Sequence, residues 1–145
     1  MLSCAHAPEQ SAASPITAPR CSVVSSVAAT RVKKPAARPC GERQTMQREC
    51  TSGAAAACYQ VATCLSGELL GTSSLSATER KEYLEATTAS LAEACREGVS
   101  EACVLRAGVQ QETGTPARET CEDLVRACQL GDEVDGCIAC IKAGC

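Results

Sequence analysis

The chain has 145 residues, which is room for one domain. It contains 13 cysteines and two tyrosines but neither Phe nor Trp, so a core built on large aromatic side chains is excluded and covalent staples must compensate. The net charge of −3 divides unevenly: residues 1–43 carry Arg20, Arg31, Lys33, Lys34, Arg38 and Arg43 against Glu9 and Glu42, for +4, and the remainder carries −7. An acidic folded part repels nucleic acid and anionic membrane, so no nucleic-acid partner is expected.

Cysteine at this density marks a disulfide scaffold and an oxidising compartment, which argues for export; a cytosolic zinc protein is the alternative. No stretch approaches the roughly 18 apolar residues of a membrane span, and no apolar segment precedes a cleavage site for a leader.

In chain order, residues 1–39 hold Pro8, Pro15, Pro19, Pro35 and Pro39, five of the six prolines, among Ala, Ser and Thr. Proline removes a donor and breaks helices, so this segment reads as a disordered tether, with one short strand or turn at 22–29. The folded part is expected over 40–145. There the sequence predicts helices at about 42–51, 54–66, 76–96, 100–111, 116–130 and 133–143. Ser76-Ala77-Thr78-Glu79 is a capping box. Thr115 before Pro116 reads as an N-cap ahead of a first-turn proline, and Gly98, Gly108, Gly131 and Gly144 stand where helices should stop. Stripes of Leu84, Thr88, Leu91 and Cys95, and of Thr120, Cys121, Leu124, Val125 and Cys128, follow helical period. The fold class is therefore all-α.

Three segments align on their cysteines: Cys50-Thr-Ser-Gly-Ala-Ala-Ala-Ala-Cys58, Cys95-Arg-Glu-Gly-Val-Ser-Glu-Ala-Cys103 and Cys128-Gln-Leu-Gly-Asp-Glu-Val-Asp-Gly-Cys137. Each carries a glycine three residues after its first cysteine, and their first cysteines lie 45 and then 33 residues apart, a spacing typical of stacked helical hairpins. If the first cysteine closes one helix, the glycine makes the turn and the second cysteine opens the next helix, the two Cα atoms come within disulfide reach. The expected corner bridges are Cys50–Cys58, Cys95–Cys103 and Cys128–Cys137.

The motif Cys95-Arg-Glu-Gly-Val-Ser-Glu-Ala-Cys103-Val-Leu-Arg-Ala-Gly108 resembles the corner of Sel-one-like repeats, relatives of the tetratricopeptide repeats, and in particular the Helicobacter-type cysteine-rich proteins. The resemblance covers about residues 42–145. It implies a short solenoid-like stack of disulfide-stapled hairpins acting as a protein-binding or peptide-binding module. It also brings β-lactam hydrolysis into view as an alternative, although the Ser-x-x-Lys signature of such enzymes does not occur in this sequence.

Seven further cysteines remain. Antiparallel register places Cys121 opposite Cys145, and Cys64 near Cys40. Cys21 and Cys140 are then joined by elimination. Cys4 makes the count odd, and Met1-Leu2-Ser3-Cys4 looks like the tail of a lipobox, so Cys4 is the expected lipid anchor and the only expected membrane contact. The expected location is the periplasm or cell envelope, or outside the cell.

His6, the sole histidine, falls in the tether, so neither a Ser-His-Asp nor a Cys-His site can be assembled in the folded part. Cys137-Ile-Ala-Cys140 is a lone C-x-x-C, which leaves thiol–disulfide exchange as a second enzymatic alternative. Glu122-Asp123 and Asp132-Glu133 read as acids that complement helix N-termini or solvate a surface. No catalytic residue, metal ligand or cofactor is expected, and a third alternative is a small secreted structural protein with no dedicated groove.

Overall fold

A computed structural model describes residues 20–71 and 74–145. Within them the chain is all-helical: α1 (Ser25–Ala28), α2 (Arg43–Thr51), α3 (Ala55–Gly71), α4 (Ala77–Arg96), α5 (Ser100–Glu112), α6 (Ala117–Gln129) and α7 (Ile138–Lys142), with a 3₁₀ turn at Cys40–Glu42 and a π turn at Glu133–Cys137. Each of α2 to α6 packs chiefly on its neighbours in sequence. α2, α4, α5 and α6 fall close to the predicted spans because the punctuation is local, whereas α3 runs five residues past its expected end at 66 and the helix expected over 133–143 is divided into the π turn and α7. Ser76 Oγ accepts from the Glu79 N–H and Glu79 accepts from the Ser76 N–H, which closes the capping box and holds the Glu79 carboxyl below its usual range.

The three corners put Cα atoms 4.6 Å apart at Cys50–Cys58, 4.8 Å at Cys95–Cys103 and 4.3 Å at Cys128–Cys137. The third corner has one residue more than the others, and the π turn absorbs it by widening the helix start. Asp132 caps that turn, accepting from the N–H groups of Asp135 and Gly136. The core is small-sided: Met46, Val61, Leu91, Val99 and Leu130 are its largest fully buried apolar residues, and Tyr59 and Tyr83 only pack against its edge.

Several local expectations are corrected. Gly108 does not end a helix; it lies inside α5, which runs on to Glu112, and Gly114 makes the turn. Thr115 does not cap α6. Pro116 occupies the N-cap position with extended backbone, and the Thr115 hydroxyl faces that of Thr113 at 3.4 Å. Residues 22–29 form neither strand nor simple turn but contain the single helical turn of α1.

The largest difference concerns residues 20–39, which were expected to be part of a tether. They run as a strap along the hairpins, from the third to the first. Cys21 is bonded to Cys140 of α7. The Val24 N–H donates to the Gln129 carbonyl at 3.3 Å and the Val32 N–H to the Gly98 carbonyl at 2.9 Å. Arg31 donates to the Gly131 carbonyl at 3.2 Å and pairs with Glu101 at 3.1 Å. Gln60 donates to the Ala36 carbonyl at 2.6 Å, and Arg38 pairs with Glu49 at 2.6 Å and Glu42 at 3.0 Å. Val27 and Val32 pack onto the main core. Proline excludes helix but not an extended segment whose polar groups are met by carbonyls and side chains of other elements.

At Gly98 the strap passes against the backbone of the second corner. The φ of Gly98 is +107°, and a Cβ there would stand 2.8 Å from the Thr30 carbonyl oxygen. Gly53 has a similar φ of +96° but open space around it. Gly98→Ala is therefore expected to lower stability by more than about 1 kcal/mol and to expose residues 22–39 to protease. Gly53→Ala should carry the backbone cost alone. Equal losses in chemical denaturation with disulfides intact would show that the strap does not bear on Gly98.

Candidate binding groove and buried polar cluster

The twelve cysteines singled out from the sequence form six bridges. Besides the corners these are Cys21–Cys140, Cys40–Cys64 and Cys121–Cys145, with Cα separations of 5.7, 5.6 and 5.5 Å. They are the same pairs that corner, register and elimination supplied. Cys137 and Cys140 of the C-x-x-C are not joined to each other; each bonds a partner on a different element. Cys4 and His6 lie outside the described residues. Six disulfides suit an oxidising, extracellular type of compartment. Among the described residues no helix is long and apolar enough to cross a membrane, and no group of three or more His, Cys, Asp or Glu could hold a metal ion.

Two features stand out on this scaffold. The first is an open groove of about 490 Å³ between α2 and α4, floored by Leu65 of α3. Arg43, Gln44, Gln47 and Arg48 line one wall, and Glu82, Tyr83 and Ala86 the other. Residues 43, 44, 47 and 48 share one face of α2 because i, i+4 neighbours project together. Arg43 is bonded to Glu68 of α3, which raises its pKa further, with Tyr83 alongside. Arg48 donates only to Thr45, at 3.4 Å, and has no carboxylate partner among the described residues. The wall-bearing hairpin is closed at both ends, by Cys50–Cys58 at the corner and Cys40–Cys64 at the other end.

The second is a buried polar cluster between α5 and α6. Asp123, expected from the sequence to complement a helix N-terminus or solvate a surface, is instead only 5 % exposed. Its Oδ1 accepts from Arg106 Nη1 at 3.0 Å and lies 4.0 Å from the Cys95 sulfur. Burial pushes its carboxyl up to about 6, against the opposing pull of Arg106. Its Oδ2, together with Arg106 Nε, Gln110 Oε1 and Thr120 Oγ1, is buried without a hydrogen-bond partner among the described residues. Asp123 lies three residues after Thr120, on the same side of the helix, but the stripe of Thr120, Cys121, Leu124, Val125 and Cys128 omits it; its burial depends on Arg106, whose position opposite it no local pattern reveals.

A carboxyl with a raised folded pKa binds its proton more tightly in the native state, so stability falls as pH rises through the window between the unfolded and folded values. The unfolding free energy of the native protein minus that of Asp123→Asn should decline from about pH 4 to about pH 6 and level off above. A difference that is flat across that window, or rises, would contradict the burial of an ionisable Asp123.

No protein-family model, curated protein or solved structure matches the chain.

Proposed function

We propose that this chain is an exported binding module in which three disulfide-cornered hairpins stack as a short helical repeat, and that the groove between α2 and α4 receives an extended peptide segment. The sequence likeness to Sel-one-like repeats agrees with the stacking. So does a pattern visible once burial is known: Thr87-x-x-Ser90-Leu91-x-x-Ala94-Cys95 on α4 recurs as Thr120-x-x-Asp123-Leu124-x-x-Ala127-Cys128 on α6, with every named position buried. A recurrent buried face on the first helix of successive hairpins is what a stack requires.

The observation that carries the binding reading is the groove. Gln44 and Gln47 offer amide groups to a peptide backbone, Tyr83 offers a ring, and Arg48 offers a guanidinium free of any described carboxylate. Tyrosine and arginine are the side chains most often found at interface hot spots. Two disulfides fix the wall before the partner arrives, which reduces the ordering cost of association. The −7 balance beyond residue 43 favours a basic or neutral partner as a whole, and within that partner the peptide or protein edge in the groove brings an acidic side chain to Arg48. Cys4, outside the six bridges, serves as the attachment point of a lipid, which would hold the module at a cell-envelope surface.

The test is selection of short displayed peptides on the oxidised chain. Selected peptides should be extended and acid-bearing, and Tyr83→Ala or Arg48→Glu should weaken them by about tenfold or more, while Arg118→Glu on α6 leaves them unchanged. Peptides indifferent to both groove substitutions would place binding elsewhere.

A further inference from the structure

Val134, Ile138 and Ile141 are 70 %, 46 % and 65 % exposed. Spacings of four and three put them in one row on the outer face of the last hairpin. Large apolar side chains gathered in a row on a surface mark a contact surface more often than scattered ones do.

The corresponding positions in the earlier hairpins are covered. With Cys137 in register with Cys103 and Cys58, Ile138 aligns with Val104 and Tyr59, and Ile141 with Ala107 and Ala62. Ala107 is 1 % exposed and Ala62 is fully buried. Val104 and Ala107 border a crevice shared with Leu124 of α6 and Ala139 of α7, so the third hairpin covers this face of the second. The third hairpin thus presents the face on which its predecessors pack, enlarged from Ala to Ile at one position and from Val to Ile at another, and no further hairpin among the described residues packs on it.

The opposite end of the molecule is finished differently. The first-hairpin positions in register with buried Thr87 and Ala94 are Glu42, which ends the 3₁₀ turn, and Glu49 of α2, and both bond Arg38 of the strap. A polar, latched end does not complement a Val/Ile row, so head-to-tail stacking of copies is disfavoured. The charges around the row favour a different arrangement. Exposed Glu133 and Asp135 lie at its N-terminal end and exposed Lys142 at its C-terminal end, and none of the three is ion-paired with a described residue. Two such rows running antiparallel bring Lys142 of each copy to the acids of the other.

We propose that the outer face of the third hairpin is a self-association surface, on which two copies pair tail to tail about a twofold axis through Val134, Ile138 and Ile141. An isologous contact of this kind closes after two copies and leaves both grooves between α2 and α4 free. A single three-residue row with a charged rim is at the low end of interface sizes, so the pair is reversible and concentration-dependent.

Sedimentation equilibrium of the oxidised full chain tests this, in a Cys4→Ser background so that no bridge between copies contributes. The expected result is a monomer–dimer equilibrium over roughly micromolar to millimolar concentrations, with no larger species. Ile138→Glu and Ile141→Glu should each raise the dissociation constant by about tenfold or more, and Ile141→Glu, at the more exposed position, should do so with unchanged helicity and thermal unfolding. Lys142→Glu should weaken the pair, and adding Glu133→Lys with Asp135→Lys should restore it. Arg38→Glu at the other end should leave it intact. A chain that stays monomeric throughout, a ladder of higher species, or a dimer indifferent to both isoleucine substitutions would overturn the proposal.

Discussion

The corner cystine is the constraint on which the rest of the structure depends. Each hairpin turns within a few residues, and a bridge whose Cα atoms are 4.3 to 4.8 Å apart draws the two helix ends closer than side-chain packing alone would hold them. Close helices need small residues between them, and Ala57, Ala62, Ala94, Ala102 and Ala127 fill those places. Ala-lined interfaces in turn bury little apolar surface per residue, so the fold leans on covalent closure. On the chain-entropy view each corner, enclosing about ten residues, restrains the unfolded chain by about 2–3 kcal/mol. The missing aromatic core and the cysteine content are two aspects of one design.

That design explains which parts could be read in advance. Helix ends are marked locally, by Ser76 with Glu79, by a glycine at positive φ after each first corner cysteine, and by the cysteines themselves. The pairing of Cys121 with Cys145 follows from counting residues out from a corner, since antiparallel helices keep register. The strap escapes such reading. Apart from the local Arg38–Glu42 pair, the contacts that seat it include hydrogen bonds with Gly98, Gln129, Gly131 and Gln60, all far away in sequence, and its own composition of Pro, Ala and Ser has no periodicity to announce them. Asp123 escapes for a similar reason: at its place the preceding hairpin has Ser90, and only the arrival of Arg106 from α5 makes an acid tolerable there.

The Asp123–Arg106 pair also sets the two helical interfaces apart. The position of Arg106 is held by Val61 in the first hairpin and by Cys140 in the third, both buried. Around the pair, Gln110 and Thr120 contribute further buried polar atoms without partners among the described residues. Taking such groups out of water is costly unless they are satisfied, and ordered solvent is the usual remedy. The junction of α5 with α6 is therefore the joint of the stack that carries a buried charged pair.

The strap runs opposite to the order in which the chain is made. Cys21 is the first of the twelve paired cysteines to leave the ribosome, and Cys140 is the eleventh. Until α7 exists, Cys21 has no correct partner, and the first of the paired cysteines to follow it is Cys40, which belongs to Cys64. Pairing in order of synthesis would thus join Cys21 to Cys40 and leave Cys64 and Cys140 stranded. Exchange of an early wrong bridge requires a thiolate to attack it and is slow without help. The N-terminal strap, rather than the three hairpins, is thus the part of the molecule whose native bridges conflict with the order of synthesis, and the part whose pairing a disulfide isomerase would speed most.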